Sequence, residues 1–201
     1  MKHVFFFGDS ITLGVGEPGV GGWVGRFAAG LVAQGRAEPA AASFYNLGVR
    51  RASSKQVQGR WEAEYRARCG LPGVDSCRLL FCCGVVDMAA PTGRPNLEVE
   101  VSVATLRAIV QTARGLAPTL LLGPTPVVDA AHTARIATLS QACAALCAEL
   151  GVPFVELCAS LAADPAYMGD LPDGIHPAGT GNARIAALLL DSPVVRRWLD
   201  G

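Results

Sequence analysis

The sequence carries no surplus of charge of either sign: Lys and Arg total 17, and Asp and Glu total 17. A chain without a basic or acidic excess offers no electrostatic case for nucleic acid or an anionic membrane as its main partner. Lysine is nearly missing, with only Lys2 and Lys55, so the cationic residues are almost all arginine. With alanine abundant as well, this balance reads as genome composition rather than function. No apolar run approaches the roughly 20 residues that a membrane-spanning helix needs, which excludes integral membrane association. The apolar stretch Val4 to Phe7 is too short for the core of a secretory signal, and Gly8-Asp9 ends it. Internal repeats, low-complexity tracts and linkers are missing too, so residues 1–201 are expected to form one domain. The 7 cysteines (Cys69, Cys77, Cys82, Cys83, Cys143, Cys147 and Cys158) are odd in number and lack a disulfide-framework spacing. Without a signal segment they read as reduced, buried thiols of a cytoplasmic protein. Cys143 and Cys147 share a helix face, but no further ligands lie near them in the sequence, so no metal is expected.

Against these absences stands an apolar content of 51%, enough for a substantial core. Short β-like runs alternate with longer helical patterns. The strands are expected at His3–Phe7, Ser43–Leu47, Arg78–Cys83, Thr119–Gly123 and Phe154–Glu156. The helices are expected at Trp23–Gln34, Ser53–Ala67, Leu97–Leu116, Ala131–Leu150 and Ala178–Leu190, with a short one near Val194–Leu199. In the fourth helix Ile136, Leu139, Cys143, Leu146 and Leu150 recur at steps of three and four, which makes one buried stripe. Strands alternating with helices predict an α/β fold, a parallel sheet covered on both faces. In such sheets ligands bind outside the carboxyl ends of the strands.

The chemically suggestive residues all fall on loops at that edge. Ser10 follows the first strand on the turn Gly8-Asp9, and Asp173 and His176 lie three apart on a loop leading into the last long helix. A hydroxyl becomes a useful nucleophile when a base takes its proton, and an imidazole does this best when a carboxylate fixes its tautomer. Taken alone, Ser10 would be a helix N-cap. Asp9 reads as a turn-holding residue, Asp87 as a partner for main chain near the site, and His3 and His132 as non-catalytic. The run Gly14-Val15-Gly16-Glu17-Pro18-Gly19 matches a dinucleotide fingerprint by letter only, because Gly8-Asp9-Ser10 intervenes after the strand, Pro18 interrupts, and no ribose-binding acid ends the second strand.

The segments Gly8-Asp9-Ser10-Ile11-Thr12, Asn46-Leu47-Gly48, Gly84-Val85-Val86-Asp87 and Asp173-Gly174-Ile175-His176-Pro177 resemble, in order and spacing, the conserved blocks of the GDSL/SGNH hydrolases. The resemblance covers essentially the whole chain. It implies a flavodoxin-like three-layer α/β/α fold with a five-stranded parallel sheet, and an esterase or acylhydrolase activity on a small-molecule ester. Carried onto this sequence, Ser10 is the nucleophile, His176 the base and then acid, and Asp173 the orienting carboxylate. The N–H groups of Ser10 and Gly48 are the oxyanion donors, with neither cofactor nor metal. The departure is Val86, which stands where the family has an asparagine donor; Asn46 is the nearest substitute by sequence. Arg51 stands where many members carry small residues and is expected at the pocket mouth, and Val86, Met88 and Pro91 are expected along the pocket. The alternative reading is an attenuated or inactive ligand-binding member of the same fold. A homo-oligomer is compatible with either.

Overall fold

Val4-Phe5-Phe6-Phe7 lacks polar alternation because both of its faces are covered. The computed structural model describes residues 1–201. Five strands, β1 (Lys2–Gly8), β2 (Ala42–Gly48), β3 (Ser76–Cys82), β4 (Thr119–Leu122) and β5 (Phe154–Val155), form one sheet in the order β2-β1-β3-β4-β5, with every neighbouring pair parallel. Eleven helices surround it: α1 (Ser10–Leu13), α2 (Gly22–Ala33), α3 (Ser54–Gln58), α4 (Trp61–Cys69), α5 (Val85–Met88), α6 (Val99–Ala113), α7 (Ala130–Leu150), α8 (Cys158–Ala162), α9 (Pro165–Met168), α10 (Gly179–Asp191) and α11 (Pro193–Asp200). Successive side chains of β1 go to opposite layers. Phe6 meets Trp23 and Phe27 of α2 edge-on, while Phe7 meets Trp61 and Phe5 meets Tyr65, both on α4. Phe5, Phe6 and Phe7 are wholly buried, each contributing roughly 1.5–3 kcal/mol of hydrophobic stabilisation. The layers are completed by α10 packing on α2, and by α6 packing on α3 and α7.

The expected helix Ser53–Ala67 is two. Helix α3 begins in a capping box, in which Ser53 and Gln56 each satisfy the other's main chain, and it ends at Gly59. Arg60 then leaves helical geometry (φ −127°), and its guanidinium donates both to Glu64 and to the Gly8 carbonyl (3.1 Å). The break turns Trp61 into the core beneath β1. The fifth strand is also shorter than expected. Glu156 has left the ladder and caps α8, its carboxylate accepting from the N–H groups of Ala159 (3.0 Å) and Ser160 (3.3 Å). The buried stripe of α7 includes Cys147 in addition to Ile136, Leu139, Cys143 and Leu146. No helix is long and apolar enough to cross a membrane.

Candidate active site

Ser10 opens α1, directly after the carboxyl end of β1. Asp9, and not Ser10, is the N-cap: its Oδ1 accepts from the Ile11 N–H at 2.9 Å. Burial raises the Asp9 pKa to about 7 and nearby Asp87 adds to this, against the Ile11 hydrogen bond. With the cap supplied by its neighbour, the Ser10 hydroxyl is free of main-chain duty. The Ser10 main-chain N–H likewise has no partner within the chain.

The other half of the site arrives from the far end of the sequence. Asp173 accepts through Oδ1 from the N–H groups of Ile175 (3.0 Å) and His176 (2.8 Å), and its Oδ2 lies 2.6 Å from His176 Nδ1. His176 Nε2 lies 2.8 Å from Ser10 Oγ. Partial burial opposes ionisation of Asp173, but the hydrogen bonds from His176 and Ile175 prevail and hold its pKa at about 2. The carboxylate therefore stays charged and keeps the proton of the imidazole on Nδ1. This leaves Nε2 as an acceptor for the serine proton.

Asn182 on α10 joins the two ends. Its side chain is wholly buried; Oδ1 accepts from the Trp23 N–H (3.0 Å), and Nδ2 donates to the Pro177 carbonyl (2.7 Å), one residue past the imidazole. Gly16 completes the joint, because a Cβ there would stand 2.5 Å from that same carbonyl. The glycine-rich loop thus packs on the histidine loop, which is a structural use for the residues that mimic a dinucleotide fingerprint. Asn182→Ala strands a buried donor and a buried acceptor. It is expected to cost about 2–4 kcal/mol, read as a lowered urea midpoint at unchanged slope.

A cavity of about 540 Å³ opens beside Ser10 and His176. Its apolar wall comprises Val85, Val86, Ala89, Pro91 and Ile175, and its polar lining adds Arg50, Arg51, Asn96 and His132. Val86 and Pro91 lie where expected. Met88 does not: its side chain is fully buried, and its carbonyl accepts from Arg135. The Gly48 N–H, expected as an oxyanion donor, has a partner within the chain. It donates to Asn46 Oδ1 at 3.1 Å, and the close approach that the missing side chain permits is to the backbone of Asp9 and Leu13. Asn46 is no substitute for the family asparagine either, since its Nδ2 donates to the Thr12 carbonyl at 2.8 Å. In this segment the main-chain N–H groups of the two pocket-lining residues, Arg50 and Arg51, both lack a partner, and Arg51 has a left-handed backbone (φ 64°). Asp87 is a main-chain partner, accepting from the Ser54 N–H at 2.8 Å.

His132 and Asn96 entered the site unannounced by the sequence. His132 Nε2 donates to the Val85 carbonyl at 2.8 Å, which requires the proton on Nε2; burial lowers its pKa, so the ring is neutral. Asn96 donates to the Val86 carbonyl at 2.7 Å. Together they hold the Gly84–Val86 turn from two sides. Neither residue lies in a recognisable motif, and Asn96 reaches Val86 only because the intervening loop doubles back, with its own N–H on the Ala89 carbonyl.

Residues 6–184 match the model of the GDSL-like lipase/acylhydrolase family. Among solved structures, the chain is similar to the lipase/acylhydrolase from Enterococcus faecalis (TM-score 0.76, 20% identity, 98% of this chain and 97% of that one). It is also similar to Axe2, an acetylxylan esterase from Geobacillus stearothermophilus (TM-score 0.73, 19% identity, 96% of each chain). A third is a member of the lipolytic G-D-S-L family from Veillonella parvula (TM-score 0.71, 21% identity, 93% of this chain and 94% of that one). At these identities the likeness is one of fold, an all-parallel five-stranded sheet between helices. No curated protein matches by sequence.

Proposed function

The chain belongs to the GDSL-like lipase/acylhydrolase family, and from that premise we propose that it hydrolyses short-chain carboxylic esters through an acyl-enzyme on Ser10. The observation that carries this reading is the continuous relay from Asp173 Oδ2 through His176 to Ser10 Oγ, with contacts of 2.6 and 2.8 Å. As Ser10 Oγ attacks the ester carbonyl, His176 Nε2 takes the hydroxyl proton and then delivers it to the departing alcohol oxygen. Water, deprotonated by the same nitrogen, attacks the acyl-serine, and the proton returns to Ser10 as the carboxylic acid leaves. The tetrahedral oxyanion is received by the Ser10 N–H, and the free N–H groups of Arg50 and Arg51 are available at the same cavity for the second donor position. The wall of Val85, Val86, Ala89 and Ile175 suits a small acyl group.

The test is turnover of 4-nitrophenyl acetate and butyrate, combined with mass spectrometry after treatment with a serine-directed phosphonate. The expected result is saturable hydrolysis and a single adduct on Ser10. No turnover and no adduct would overturn the reading in favour of a ligand-binding member of the fold, for which Val86 is the one supporting feature. Val86 also carries a graded prediction. One lost oxyanion donor costs on the order of 10² to 10³ in kcat, so Val86→Asn is expected to raise kcat on these esters by about tenfold or more. An unchanged kcat would mean that the main-chain donors already suffice.

A further inference from the structure

Most arginines in the molecule have a visible partner. Arg26, Arg60, Arg66, Arg107 and Arg184 face carboxylates, and Arg135 donates to a carbonyl. Arg50 and Arg51 have neither, and both line the cavity beside Ser10. Arg94, equally unpaired, sits on the loop whose Pro91 and Asn96 line the same cavity. No aspartate or glutamate lines it. A protein of zero net charge thus gathers uncompensated guanidinium groups at one mouth. Arg51, moreover, holds φ at 64°, a conformation glycine adopts freely and an arginine adopts only with strain. The fold keeps a long cationic side chain at a position where the backbone alone would favour glycine.

We propose that the substrate is an ester carrying a carboxylate or phosphate group, bound by Arg50 and Arg51 at the cavity mouth while the ester carbonyl lies against Ser10. The proposal rests on the hydrolase reading above and specifies its substrate. Guanidinium groups bind such oxyanions in paired, charge-assisted hydrogen bonds. The apolar wall takes the uncharged part of the molecule, and the rim selects for the charge.

Two substrate pairs, each differing by one charge, test this and locate the anion. The first is 4-nitrophenyl hemisuccinate against its methyl ester, with a carboxylate on the acyl side. The second is an acetyl ester of glycerol 3-phosphate against monoacetylglycerol, with a phosphate on the alcohol side. For at least one pair, the charged member is expected to have the higher kcat/KM, by about tenfold at low salt. The ratio should shrink toward one at about 0.5 M salt. Arg50→Gln and Arg51→Gln should each lower that ratio, and Arg50→Lys should retain part of it. The wild-type ratio and its salt dependence need no variant to fold. Turnover of the neutral members with both ratios near one overturns the inference alone, leaving the hydrolase reading intact. No turnover of any member, with Ser10 unlabelled by the phosphonate, overturns both.

Discussion

Ser10→Ala is expected to abolish ester turnover, lowering kcat/KM by about 10⁴-fold or more. The size of the effect follows from what the hydroxyl does. In the proposed mechanism it forms the covalent intermediate, and without it His176 could activate at best a water held in the same space. The variant is also expected to fold normally. Ser10 Oγ makes no structural hydrogen bond beyond that to His176, and Asp9 rather than Ser10 caps α1. A thermal melt superimposable on that of the wild type would therefore accompany the loss. Retained turnover in this variant, with the phosphonate adduct found elsewhere, would remove Ser10 from the chemistry.

Asp173→Asn should be nearly as damaging, at about 10⁴-fold in kcat, and for a different reason. The asparagine carbonyl can still accept from the N–H groups of Ile175 and His176, so the loop keeps its shape. Its amide, however, then donates toward Nδ1 and drives the imidazole proton to Nε2, the nitrogen that must be bare to accept from Ser10. The same carboxylate sets a pH signature. Because its pKa in the folded protein is depressed to about 2, its ionised form contributes to stability above the ordinary aspartate range. That contribution is lost as pH falls from there toward 2. Loss of activity between pH 5 and 7 is therefore not a titration of Asp173, and the wild type should show no stability change from this group in that interval. An Asp173→Asn enzyme with unimpaired kcat would mean that the imidazole is oriented by something else.

The two residues of the relay that share a loop, Asp173 and His176, were legible because their geometry is local, and Ser10 was legible because a glycine turn after an apolar strand is short and distinctive. The strands were readable from runs such as Val4–Phe7, and the central helices from their apolar spacing. What escaped sequence reading were contacts between a side chain and a remote main chain. Asn182 on Trp23, Arg60 on Gly8, and His132 on Val85 each satisfy a backbone group dozens of residues away. The surroundings of Gly48 belong with them. A glycine announces that backbone must pass close by, but not which backbone, and here it was that of Asp9 and Leu13. The single helix expected over Ser53–Ala67 failed in the same manner, broken at Arg60 by a guanidinium drawn to the end of β1.

The serine and histidine that meet at 2.8 Å are separated by 166 positions in the chain, and the buried asparagine that locks their two loops comes later still. During translation, then, a ribosome-borne fragment that carries β1 to β4 has Ser10 but neither Asp173 nor His176, and in the proposed mechanism it has no base. Competence would appear abruptly, once the polypeptide past residue 182 clears the exit tunnel and docks.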